Sequence, residues 1–112
     1  MSLYLPAALA DWGTPGFHAT LKRELEALAP DALPLQQGVA HGGLADGTDV
    51  AVSVFGTRDD ALAIHAEVGV FYSEIIAGCS CGDDPMPLPA YCVMRFSIDK
   101  HSAQTAISIL RD

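Results

Sequence analysis

The amino-acid sequence predicts an α+β fold: residues 1–112 as one domain, with an N-terminal helix, an antiparallel or mixed sheet of four to five strands, and a C-terminal helix. Three observations predict it. A capped amphipathic stretch stands near the start, alternating apolar runs fill the middle, and an apolar stripe at helical spacing closes the chain. Strands bunched between two helices give a sheet with helices on one face, and the connections are mostly too short for parallel crossovers.

The first helix is expected over residues 15–29. Thr14 can cap its orphan amides, Pro15 suits its first turn, and Pro30 stops it. Phe17, Leu21, Leu25 and Leu28 recur at helical spacing and form its core face. A short strand follows over residues 35–41. Gly42-Gly43 and Asp46-Gly47 are turn signals, and Val50, Val52 and Val54 share one face of the next strand. Leu62, Ile64, Ala66 and Val68 alternate with Ala63, His65 and Glu67 in another. Gly69 then reads as a bend that turns Phe71, Ser73 and Ile75 to the core and sends Glu74 to the opposite side. Residues 78–89, with three prolines at alternate positions, read as an extended solvated loop. Cys92, Met94, Phe96 and Ile98 mark the last strand. Asp99 or Ser102 can then cap a closing helix with Ala103, Ala106, Ile107 and Leu110 on one stripe.

Charge narrows the function classes. Six Lys and Arg stand against fourteen Asp and Glu, a formal net charge of −8, and the basic residues are scattered. A phosphate backbone or an anionic bilayer would repel such a chain, so neither nucleic acid nor a membrane is the expected partner. The apolar start lacks a positive n-region and is broken by Pro6, so it reads as ordinary domain sequence rather than a signal peptide. Three cysteines, an odd number, fit a reducing compartment, and the expected location is the cytoplasm.

The chemistry-bearing residues concentrate between Gly69 and Cys92. Cys79, Cys81 and Cys92 are candidate metal ligands, with a histidine as fourth ligand and zinc as the candidate cofactor, because thiolate and imidazole donors suit that cation. The two paired Cys-x-x-Cys motifs of common zinc sites are absent. Cys92, in phase with Met94 and Phe96, also reads as a small buried hydrophobe. Glu74, Asp83 and Asp84 are candidate binding carboxylates for a hard cation or for acid–base work. His65, in the polar phase of its strand, reads as a solvated or hydrogen-bonded side chain.

The run from Gly69 to Pro85, with Tyr91-Cys92, Ile98-Asp99 and the earlier Leu33-Pro34-Leu35-Gln36-Gln37-Gly38, resembles a small family of uncharacterised bacterial proteins of about this length. The resemblance runs from Trp12 onward. It implies an α+β fold and transfers no catalytic residue. The expected function is that of a small binding or accessory protein, with a homodimer or another protein as candidate partner. The alternatives are a thiol- or carboxylate-dependent enzyme and a structural subunit of an assembly.

Overall fold

Ile64, Ala66, Val68, Val70 and Tyr72 recur at every second position, and that period organises the molecule. The computed structural model describes residues 3–28, 32–39, 43–76 and 86–110. In it these five side chains are buried along one face of β3 (Ala63–Ile76). β3 pairs antiparallel with β2 (Leu44–Asp59) on one side and β4 (Met86–Asp99) on the other. β4 pairs with β5 (Gln104–Leu110), and β5 with the two-residue β1 (Leu3–Tyr4), so the five-stranded order is β1-β5-β4-β3-β2. Ile98, Phe96 and Met94 stand opposite Ile64, Ala66 and Val68, which makes one face of the sheet a continuous apolar surface.

Two short helices, α1 (Pro6–Ala10) and α2 (Phe17–Glu26), contribute Ala8, Phe17, Leu21 and Leu25 to the same core. Glu24 joins them. Its carboxylate accepts the backbone N–H groups of Ala7 (3.0 Å) and Ala8 (2.8 Å), which no turn of α1 could satisfy. Lys22 and Glu26 tie α2 to β2 through the Val52 carbonyl (3.1 Å) and N–H (2.9 Å). No helix among the described residues is long and apolar enough to cross a membrane.

The radius of gyration is 15.6 Å, against about 13 Å for a compact domain of this length. The molecule is elongated, 56 Å along its longest principal axis against 25 and 24 Å across, in keeping with the long β2, β3 and β4 strands.

The α+β layout with a C-terminal helix is therefore corrected: strand dominates, and residues 104–110 form β5. Asp99 does cap, but it caps a turn. Its Oδ1 accepts from the N–H groups of His101 (2.7 Å) and Ser102 (3.0 Å), and Ala103 takes a positive φ of 63° that no helix start tolerates. Beyond it Thr105, Ile107 and Ile109 alternate with Gln104, Ala106 and Ser108. These β-branched residues pair with β4 at Ile98, Phe96 and Met94. The strand expected over residues 35–41 is a 3-10 helix at Leu35–Gly38, because Leu33 and Leu35 are drawn onto the core beside a chain that already has its strands. The Gln36 amide serves the start of β2 instead, donating to the Gly43 carbonyl (2.7 Å) and accepting from the Ala45 N–H (2.9 Å). Of the loop expected over residues 78–89, residues 86–89 belong to β4, and residues 78–85 lie outside the described residues. Pro87 and Pro89 face Ile75 and Ser73, beyond the reach of β5, which ends opposite Val93. A missing N–H costs no ladder bond there.

Candidate functional site

The two faces of the sheet have opposite fates. The helices and the 3-10 segment cover one, and no described element covers the other. Placing the expected site residues on these faces decides what each can do.

Gly69 does not bend β3. It stays in register opposite Val93, and the apolar phase runs on through Val70 and Tyr72 to Glu74. Glu74 is thus 1 % exposed on the covered face, and its Oε2 accepts the Gly43 N–H at 2.6 Å. Beside it the Tyr72 hydroxyl donates to the Leu35 carbonyl at 2.9 Å. Cys92 lies opposite Val70 on the same face, 8 % exposed and unpaired. Burial pushes its thiol pKa up, which the Tyr72 hydrogen bond only partly opposes, and burial likewise pushes the Tyr72 phenol up to about 12. Both groups are neutral at neutral pH. Cys79, Cys81, Asp83 and Asp84 lie outside the described residues. Among the described residues no group of three or more His, Cys, Asp or Glu side chains is placed to hold a metal ion.

Gly69 is a glycine for another reason. A Cβ there would sit 2.5 Å from Cζ of Phe55 and 3.1 Å from Cε2 of Tyr91. The open face at this row is filled from above by aromatic rings. Phe71 and Tyr91 are a directly opposed cross-strand pair with centroids 4.8 Å apart, and Phe55 leans in from β2 at its second register shift. These three rings stay 44–53 % exposed, a contiguous apolar patch of the kind that marks a binding surface.

One row along the strands, the same face turns polar. Glu67 stands opposite Arg95, and Arg95 Nη2 donates to Glu67 Oε1 at 2.9 Å. Arg58 stands opposite His65 and has no acidic partner among the described residues. Gly56, Thr57, Arg58, His65, Glu67 and Arg95 line a groove of about 350 Å³. At its end His65 joins Ser97 to Asp60: Nδ1 lies 3.0 Å from Ser97 Oγ, and Nε2 lies 2.9 Å from Asp60 Oδ2.

The β2–β3 turn fixes Asp60. Its Oδ1 accepts from the N–H groups of Leu62 (2.8 Å) and Ala63 (2.9 Å), and Lys100 holds its carbonyl at 2.6 Å. The hydrogen bond from His65, followed by those two backbone bonds, holds its carboxyl far below the usual carboxylate range. The folded state thus favours the ionised form. That contribution is present in full above about pH 4, where the carboxyl of the unfolded chain titrates, and fades as pH falls below it. Asp60→Asn is expected to flatten the acid limb of stability against pH below about pH 4. Urea unfolding at a series of pH values reads it. A limb of unchanged slope would show that the turn does not depend on this charge.

Sequence reasoning missed Arg58, Asp60, Arg95 and Ser97 as site residues. The available signal was the polar phase of each strand, His65 and Glu67 on one and Arg95 and Ser97 on the other. What joins them is register, which fixes His65 opposite Ser97 and Glu67 opposite Arg95. Compared with known proteins, the chain matches no family model, no curated protein and no solved structure.

Proposed function

We propose that the chain is a small binding protein that takes a flat, anionic organic ligand on the open face of its sheet. The observation that carries this is adjacency. Three half-exposed rings gather over Gly69, the next row presents Arg95, and Arg58, without an acidic partner among the described residues, lies one row further along the same groove. Rows on one face of a strand lie about 7 Å apart, and Phe71 and Tyr91 are rooted two rows from Arg95 with Phe55 leaning over the row between, so a ligand of two fused rings can stack against the rings over Gly69 while its acidic group extends toward the long Arg95 side chain. Arg95 spends Nη2 on Glu67, which leaves its other Nη group to donate to a ligand. A net charge of −8 disfavours a polyanion on this platform and leaves a ligand of one or two charges as the better fit.

Anilinonaphthalene sulfonate, which carries fused rings and one sulfonate, is the probe. Its fluorescence titration is expected to show saturable binding that Phe71→Ala and Arg95→Gln each weaken about tenfold, the worth of one aromatic or charge contact. Leu62→Ala, at an exposed turn residue away from the face, is expected to bind as wild type. Equal binding by Phe71→Ala, Arg95→Gln and wild type would remove the proposal.

A further inference from the structure

We infer that Ser97 is a nucleophile for carboxylic esters, with His65 as its base and Asp60 as the group that orients the imidazole. The inference does not depend on which ligand the aromatic patch holds. It starts from proton positions. Asp60 has both backbone donors on Oδ1, so Oδ2 is left for the imidazole, and an ionised carboxylate can only accept. The Nε2 of His65 must therefore carry a proton. In the neutral ring Nδ1 then holds the lone pair, and it is Nδ1 that faces Ser97 Oγ at 3.0 Å, so the hydroxyl donates to it. Nucleophile, base and orienting carboxylate stand in hydrogen-bond sequence, which is the arrangement that activates a serine.

The frame is rigid. Ser97 lies in the interior of β4, held by β3 at His65 and by β5 at Ala106, and both His65 and Ser97 project from the open face. Arg95, two residues earlier on the same face of β4, and His65, the partner of Ser97, both line the groove, which puts a positive charge on the same face as the serine. In the reaction Ser97 Oγ bonds to the ester carbonyl carbon while its proton passes to His65 Nδ1. Arg95 stabilises the oxyanion. The bond to the leaving oxygen breaks, and that oxygen takes the proton from Nδ1. Water then attacks the acyl-serine, loses a proton to Nδ1 and releases the carboxylic acid, and the proton returns to Ser97 Oγ.

Two readouts test this on the full chain. A fluorophosphonate probe is expected to phosphonylate Ser97 with loss of fluoride, located by peptide mass, and His65→Gln should abolish the label. Release of nitrophenolate from p-nitrophenyl acetate should fall about 100-fold in Ser97→Ala, the usual contribution of general-base activation. Absence of the label in wild type, label retained in full by His65→Gln, or nitrophenolate release unchanged by Ser97→Ala would each overturn the inference. Ser97→Ala should still bind anilinonaphthalene sulfonate as wild type. That result confirms its fold and separates this test from the binding proposal.

Discussion

Phe96→Ala is expected to lower the unfolding free energy by about 3–5 kcal/mol. The ring is completely buried in the C-terminal half of β4, opposite Ala66 on β3 and Ile107 on β5, with the small Ala66 leaving it the space it fills. Truncation removes the transfer free energy of the ring and leaves a cavity on the covered face of the sheet, which the hydrogen-bonded strands cannot close up without breaking ladder bonds. Domains of this size have about 5–15 kcal/mol in total, so the variant would sit near the edge of stability. Urea unfolding should show a lower midpoint with an unchanged slope. Phe71→Ala is the internal contrast, since its ring is 44 % exposed on the open face and its loss should cost less than half as much. Equal costs for the two would mean that the open face is covered in solution.

How much of this was legible in the sequence depended on the range of the interaction that decides each element. The Phe17–Leu25 helix and the β3 and β4 apolar phases are local patterns, and the chain carries them openly. The end of the chain is local too, but it is ambiguous. Ala103, Ala106, Ile107 and Leu110 fit a helix, while Thr105, Ile107 and Ile109 fit a strand, and the free edge of β4 decides between them. The bend at Gly69 was misread for a different reason. A glycine in a strand marks either a kink or a close approach, and here it is the approach of Phe55 and Tyr91, residues distant in sequence. The polar site is the least legible part. Asp60, His65 and Ser97 are ordinary surface residues one by one, and only the exact pairing of β3 with β4 makes them a chain.

The misread phase has its largest consequence at Glu74. A carboxylate continuing the apolar side of a strand breaks the pattern, which is why the sequence predicts a bend. The fold keeps the phase and supplies a donor instead, the Gly43 N–H at 2.6 Å. The approach is so close that a Cβ on Gly43 would lie 2.6 Å from the Ile75 carbonyl oxygen and 2.9 Å from Glu74 Cγ. Glu74 thereby ties the chain just before β2 to the end of β3, the stretch where β2 first departs from regular register, between Asp46 and Ala51. Glu74→Ala is expected to cost about 2–4 kcal/mol, combining the loss of the hydrogen bond from Gly43 with a side-chain-sized cavity and leaving a half-buried amide without its acceptor. Glu74→Gln keeps an acceptor in place and should recover most of that loss. Chemical denaturation of the pair separates the two causes. Equal costs for Ala and Gln would make the charge the decisive element, whereas a negligible cost for Ala would show that the Gly43 amide finds another acceptor.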